Sequence, residues 1–344
     1  MTGFGQTPAV PLDQTAAVFD DVDARLVAAL QNDARATWGQ LATVAGVSES
    51  TAMRRVQRLR ESGNLLIIGV PDPLRADLGQ PVLVHLRTRP GHTVAVAEAM
   101  AGRTDVRFVS IVSGRSDIIC ELIVRDRAHL SRILLEDLAE HEAIVDSTTS
   151  MVLKTFKTRD EWSQGLLPGS EDPTQRPVAP AEKPARMDHL DMALIAALGQ
   201  DGRRSFVDLS GDLGLSETAV SRRLNALLAA RQLSFATLVN PALLGFGLEV
   251  FVHLRVELSD LESVAVTLAG RPEVRYVSAT AGYSDVICEA VFRDNDALYE
   301  FMTHHVGMVK GVQHVEVDTE LRTIKRVFRH PLFVPAEHTG TETS

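Results

Sequence analysis

The segment Ser48-Glu49-Ser50-Thr51-Ala52-Met53-Arg54-Arg55-Val56-Gln57-Arg58-Leu59 returns as Ser216-Glu217-Thr218-Ala219-Val220-Ser221-Arg222-Arg223-Leu224-Asn225-Ala226-Leu227, an offset of 168 residues from Ser48 to Ser216. At that offset, without a gap, Asp23 falls on Asp191, Leu41 on Leu209, His85 on His253, Gly114 on Gly282, Asp117 on Asp285, Cys120 on Cys288 and Lys157 on Lys325. A match sustained this far is the duplication of a whole unit, so the chain has to fold as one unit made twice.

Each copy begins with a helical pattern. Asp20 is a plausible N-cap for a helix carrying Val22, Leu26 and Leu30, and Asp188 for one carrying Leu190, Leu194 and Leu198. A second short helix follows Thr37 or Ser205 and buries Trp38 with Leu41, or Phe206 with Leu209. The turn after it reads Gly46-Val47-Ser48 or Gly214-Leu215-Ser216. Glycine tolerates the positive φ of such a turn, and the serine hydroxyl caps the next helix. In that third helix Ala52, Val56 and Leu59 form the buried stripe, and Thr51, Arg54, Arg55 and Arg58 line the opposite face.

Any surface helix can carry arginines. Three short helices with a glycine turn before a basic third helix, made twice, read as a helix-turn-helix whose third element enters the DNA major groove. Arginine can fork onto guanine or clamp phosphate, and hydroxyls reach bases or backbone. The candidate DNA contacts are Ser48, Ser50, Thr51, Arg54, Arg55 and Arg58 in the first head, and Ser216, Thr218, Ser221, Arg222 and Arg223 in the second. The second helix carries Ala219, Ala226 and Leu228 where the first has Thr51, Arg58 and Arg60. The first head is therefore expected to supply more of the DNA affinity.

Beyond Gly63-Asn64 the period becomes strand-like. Leu65 to Val70 before Asp72-Pro73, and Leu233 to Val239 before Asn240-Pro241, read as strands leaving the heads. From Gln80 the order is strand, helix, strand, turn, strand, helix, strand, repeated from Val250 to Arg326. That βαββαβ order is the ferredoxin-like motif, with helices on one face of an antiparallel sheet. The bare face needs a cover, and the second sheet is the obvious one.

The predicted fold class is α+β, two repeats of a winged helix-turn-helix head followed by a ferredoxin-like domain. The expected boundaries are a mobile tail over 1–19, head one over 20–64, ferredoxin-like domain one over 65–157, a linker over 158–187, head two over 188–232, ferredoxin-like domain two over 233–328 and a tail over 329–344. The linker carries Pro168, Pro173, Pro177, Pro180 and Pro184 and reads as an extended tether. Such a tether reaches roughly 100 Å stretched and about 30 Å as a coil, enough for the two sheets to pair within one chain.

Composition removes several classes. The net charge of −10 argues against a nonspecific polyanion binder but says little about a local basic patch. No stretch approaches the roughly 18 consecutive apolar residues of a membrane-spanning helix, so no membrane partner is expected. The N-terminal segment has neither a basic start nor an apolar run, which predicts a cytoplasmic protein. Cys120 and Cys288 sit in apolar runs and read as buried hydrophobes. His304-His305 lacks a third ligand at metal spacing and reads as a solvated face. No nucleophile–base pair and no phosphate-binding glycine loop is present, so no catalytic residue, cofactor or metal is predicted.

These features together resemble the leucine-responsive regulator/AsnC family of transcriptional regulators. The resemblance is carried by Asp23 and Asp191 in the first helices, the Gly-Val-Ser and Gly-Leu-Ser turns, the Arg-Arg pairs, the Asp-Pro and Asn-Pro exits and the turns Gly114-Arg115-Ser116-Asp117 and Gly282-Tyr283-Ser284-Asp285. Members ordinarily carry one unit; this chain carries two. The resemblance implies sensor domains that pair through their sheets, here as an intrachain pseudo-dimer, and assemble into homo-oligomers. It also implies a small effector, usually an amino acid, near the Gly-x-x-Asp turn, which assigns Gly114, Arg115, Ser116, Asp117, Gly282, Tyr283, Ser284 and Asp285 to effector binding. Simple turn chemistry is the alternative for those residues. Arg115 departs from the tyrosine more typical of the family, so it either holds an effector carboxylate or marks a turn without a ligand. Two other functions remain open: a siroheme-decarboxylase-like enzyme on the same fold, and a sensor acting on protein partners with vestigial heads.

Overall fold

The computed structural model describes residues 19–158 and 186–326. The tails and nearly all of the linker of the sequence reading lie outside the described residues.

In each head the local signals act as written. Helix α1 (Asp21–Asn32) starts at Asp20, whose carboxylate accepts from the Val22 and Asp23 amides. Helix α2 (Trp38–Ala45) opens with a Thr37/Gln40 capping box and stops at Gly46, left-handed at φ 71°. Helix α3 (Glu49–Glu61) is capped by Ser48. The core of head one is Leu26, Leu30, Leu41, Ala52, Val56 and Leu59. Truncating one such leucine costs about 2–5 kcal/mol. Head two repeats the plan with α6 (His189–Gln200), α7 (Phe206–Leu213) and α8 (Glu217–Ala229).

The strand after each third helix does not stay with its own head. Strand β1 (Leu65–Pro71) pairs antiparallel with β6 (Leu233–Val239), from Leu65 opposite Val239 to Pro71 opposite Leu233. Around this ribbon the heads lock reciprocally. Arg35 donates to the carbonyls of Gly202 (2.6 Å) and Arg204 (3.1 Å), and its counterpart Arg203 donates to those of Ala34 (2.9 Å) and Ala36 (2.8 Å). Each guanidinium also lies over the other head's aromatic, Arg35 over Phe206 and Arg203 over Trp38. Close packing is required here, since a Cβ on Gly69 would stand 2.9 Å from the Leu198 Cβ.

Sensor domain one comprises β2 (Gln80–Thr88), α4 (Thr93–Gly102), β3 (Val106–Ser113), β4 (Ile118–Val124), α5 (Arg127–Arg132, running on as a π-turn over Ile133–Asp137) and β5 (Ile144–Thr158). Sensor domain two comprises β7 (Leu248–Val256), α9 (Leu261–Ala269), β8 (Val274–Ala281), β9 (Val286–Phe292), α10 (Asn295–Glu300, with a π-turn over Phe301–Val306) and β10 (Val312–Lys325). The sheets do not merely stack. They join edge to edge into one closed eight-stranded barrel, β10-β3-β4-β2-β5-β8-β9-β7.

Closure explains the length of the last strands. The first half of β5 pairs with β2, and its second half, from Met151 opposite Ala281 to Thr158 opposite Tyr276, pairs with β8. Strand β10 does the same with β7 and β3. The edge strands that would otherwise be exposed are thereby consumed. At the strand ends, Lys157 Nζ donates to the Arg271 carbonyl just beyond α9, and Lys325 Nζ to the Ala101 and Arg103 carbonyls at the end of α4, cations placed on the opposite unit's helix C-termini. The barrel interior is a small apolar cluster of Leu83, Val112, Ile119, Val152, Phe251 and Ile287.

Candidate functional site

Asp23 and Asp191, the aligned aspartates of the first helices, brace the third helices. Arg55 reaches Asp20 (2.6 Å) and Asp23 (3.0 Å), and Arg58 reaches Asp23 at 2.7 Å. In head two Arg223 reaches Asp188 (2.9 Å) and Asp191 (2.7 Å). The hydrogen bond donated by the Asp23 amide first, and Arg55 second, hold the Asp20 carboxyl below the usual carboxylate range. Arg54 and Arg222 are different. Both are exposed and have no ion pair or hydrogen bond among the described residues. Ser48 and Ser216 cap their helices, accepting from the Thr51 and Ala219 amides, and the Ser48 hydroxyl also contacts those of Ser50 and Thr51. Ser50 and Thr218 are exposed; Thr51 and Ser221 are half-buried.

The two sensor turns meet across the barrel's pseudo-twofold axis. Asp117 Oδ2 accepts from the Thr88 amide at 2.7 Å and Asp285 Oδ2 from the Val256 amide at 2.9 Å, so each acid locks its own turn to its own first strand. The glycines press on the opposite unit's last strand. A Cβ on Gly114 would fall on the Asp318 carboxylate, and one on Gly282, at φ 150°, would stand 2.5 Å from the Thr149 carbonyl. In turn one, the Arg115 amide (2.8 Å) and the buried Ser116 hydroxyl (3.1 Å) donate to Asp318. In turn two, the Tyr283 amide donates to the Ser150 hydroxyl at 2.9 Å, and Ser284 is buried.

Between the turns, Arg115 lies over the Tyr283 ring, 4.7 Å from its centroid. The Tyr283 ring is 5.1 Å from both His85 and His253, whose own centroids are 5.2 Å apart. The Tyr283 hydroxyl donates to Glu316, which Arg115 also reaches at 3.3 Å and His314 at 3.2 Å. His253 Nε2 stands 3.3 Å from Asp318. No hydrogen bond of good geometry reaches a ring nitrogen of His85 or His253 among the described residues. An unsatisfied buried polar atom costs about 1–3 kcal/mol. Burial, and then the neighbouring His253, push His85 down to about 3, so it is neutral at physiological pH. Burial alone would raise Asp318, but contact with His253 and the bond from the Arg115 amide hold it below the usual range.

On one side of this axis opens a cleft of about 200 Å³ lined by Arg115, His253, Leu254, Arg255, Tyr283, Ser284, His314 and Glu316. Sequence reasoning placed Arg115, Tyr283 and Ser284 there and missed His253, His314 and Glu316, and Asp318 beside them. Position-by-position subtraction of the two copies would have found His314, Glu316 and Asp318, which fall on Asp146, Thr148 and Ser150, but not His253, which falls on His85.

Matches to known families fall on these same elements. Residues 19–60 and 187–228 match the AsnC-type helix-turn-helix domain, and residues 81–162 and 249–329 match the Lrp/AsnC ligand binding domain. The chain belongs to the Lrp/AsnC family.

This Lrp/AsnC protein carries the family's DNA-binding and ligand-binding domains twice in tandem. Two of its relatives each align nearly end to end with about one unit. An uncharacterized HTH-type transcriptional regulator of Pyrococcus abyssi is 27% identical over 142 residues, covering 41% of this chain and 89% of the relative. The HTH-type transcriptional regulator AldR of Mycolicibacterium smegmatis is 29% identical over 156 residues, 44% of this chain and 91% of the relative. A two-unit neighbour is found among solved structures. The siroheme decarboxylase NirDL superposes with a TM-score of 0.59 at 13% identity, covering 91% of this chain and 97% of its own, a likeness of fold alone.

Among the described residues no helix is long and apolar enough to cross a membrane. Both cysteines are free and fully buried, and burial pushes their thiols up to about 12, which leaves them as inert packing groups. Of the paired histidines, His304 is exposed and His305 contacts Arg271 at 2.9 Å. Among the described residues one set of acids, Glu249, Glu289 and Glu320, lies close enough to share a cation, but Arg275 and Arg326 already occupy its centre.

Proposed function

We propose that this chain is a transcriptional regulator that binds double-stranded DNA through its two heads and responds to a small effector, an amino acid, held at the sensor turns. The observation that carries the reading is the pair Arg54 and Arg222, exposed on matching faces of two capped third helices and unpaired among the described residues. Around them Ser48, Ser50, Thr51, Ser216, Thr218 and Ser221 supply hydroxyls, while Arg55, Arg58 and Arg223 hold the helices at a set angle and offer their outer edges to phosphate. Because Arg35 and Arg203 lock the heads together, the two helices present one rigid surface, suited to half-sites about one DNA turn, roughly 34 Å, apart. The half-sites need not be identical, since the heads differ. The protein acts in the cytoplasm, and further copies assemble through the sensor domains.

The test is fluorescence anisotropy of the purified chain on the DNA upstream of its own gene, at two salt concentrations, with and without amino acids. Binding that falls with salt, as phosphate neutralisation requires, and that shifts with one amino acid is the expected result. Absence of binding at every salt concentration overturns the reading and favours a role through protein partners.

A second reading, catalysis on a tetrapyrrole, is favoured by one observation, the shared two-unit fold of NirDL. The cleft of about 200 Å³ speaks for a smaller ligand, since pockets for drug-sized molecules run to roughly 300–1,000 Å³. A Soret shift on mixing with siroheme, followed by loss of its carboxylates as carbon dioxide, would establish that second reading, and no shift would remove it.

A further inference from the structure

A dimer of identical units would carry two equal clefts, one on each side of its axis. This chain does not. Applying the repeat offset to the cleft lining puts Thr148 in the place of Glu316, Asp146 in the place of His314 and Arg115 in the place of Tyr283, and beside the cleft Ser150 takes the place of Asp318. The mirror position therefore has a hydroxyl where the cleft has its acid, and an acid where the cleft has an imidazole.

The side that carries the cleft has the groups of a zwitterion's complement. Arg115, Arg255 and His314 stand around the mouth, and Glu316 is the one carboxylate in the lining. Arg115 is held only loosely, with its side chain 63% exposed, resting over the Tyr283 ring and reaching Glu316 at 3.3 Å. It can swing from that carboxylate to a ligand's, leaving Glu316 to take an ammonium in its place. Below them His253 is 3% exposed, lines the cleft and has ring nitrogens that make no hydrogen bond of good geometry among the described residues, so a polar group entering the cleft satisfies it.

We infer that duplication has left each chain with one effector site instead of two, on one side of the pseudo-twofold axis, where Arg115 and His253 take the carboxylate of an amino acid and Glu316 takes its ammonium. This rests on the small-effector reading above. It gives the two histidines unequal roles: His253 touches the ligand, and His85, stacked behind Tyr283, supports the floor. Such a ligand joins β10 of unit two to the turn of unit one, so its binding tightens the closure between the units.

The experiment is titration calorimetry of the intact chain with each proteinogenic amino acid in turn, then with the deaminated carboxylic acid that matches the one that binds. We expect saturation at one ligand per chain. Arg115→Ala weakens both compounds about tenfold or more, as loss of a charge-assisted bond requires. Glu316→Gln weakens the amino acid by a similar factor and leaves the deaminated acid unchanged. Thr148→Ala, on the mirror side, changes neither. Thermal melts confirm that each variant is folded, and Arg115→Lys, which keeps the charge, restores part of the loss. Saturation at two ligands per chain, or one ligand indifferent to both Arg115→Ala and Glu316→Gln, overturns the single site while the effector reading stands. Failure of every amino acid to bind overturns the effector reading, and this inference with it.

Discussion

Unit one sets Arg115 in its turn and Ser150 on its last strand; unit two sets Tyr283 and Asp318 in the matching places. The backbone around them is the same, with both turns locked by an aspartate to the first strand and both pressed against the other unit's last strand. Yet one turn rests on a buried carboxylate that accepts an amide and a hydroxyl, and the other on a hydroxyl that accepts one amide. The heads show the same division. Their folds match and so do the Arg55 and Arg223 braces, but α3 carries Arg58, a second brace to Asp23, and Arg60 where α8 carries Ala226 and Leu228. Duplication preserves what the fold needs twice and releases what the function needs once.

The hardest blow to this asymmetry falls at Asp318. Asp318→Ala strands the Arg115 amide and the Ser116 hydroxyl and should cost about 2–3 kcal/mol, against about 1 kcal/mol for Ser150→Ala, as read by chemical denaturation. Equal losses would show that the two turns are energetically alike. Next come the heads. Arg54→Ala should weaken binding to upstream DNA about tenfold, and Arg222→Ala by no more than about threefold; equal effects in anisotropy titrations would remove the predicted dominance of head one.

Acid stability separates the units on a finer scale. His85 is held neutral with a folded value of about 3, below its unfolded value near 6.5, so the unfolded chain binds more protons between those limits. Stability is fully present above about pH 6.5 and falls as pH drops toward 3, by at most about 1.4 kcal/mol per pH unit. His85→Phe should flatten that limb of the melting temperature against pH; an unchanged slope would place the acid sensitivity elsewhere. The smallest effect is expected at the clamp between the heads. Arg35→Ala should cost about 1 kcal/mol and let the protein tolerate half-sites moved by one or two base pairs, seen as a weaker penalty on spacing-shifted DNA than the wild-type chain shows.

The heads were legible almost residue by residue. Asp20, Thr37, Gly46 and Ser48 are caps and stops that act on neighbours a few positions away, and the Ala52, Val56, Leu59 stripe is a helical period. The strands and helices of the sensor domains follow for the same reason. The π-turns after α5 and α10 were not visible, because one extra residue in a helical turn leaves an apolar stripe nearly intact. Arg55 and Arg223 were read as DNA contacts from the face they occupy, and only the tertiary contact revealed their ion pairs to α1 and α6.

By itself the sequence determined that one unit is made twice, which elements it contains, their order and the faces they bury. These are written in capping residues and in periods of two and about 3.6, signals that act over a few residues. Only the tertiary structure decided that β5 and β10 cross to the opposite sheets, that β1 and β6 leave their heads to pair, and that His85, His253, Tyr283, Glu316 and Asp318 gather at one axis. Those contacts join positions far apart in the chain, and they follow from the need to close two open sheet edges, which no local period records.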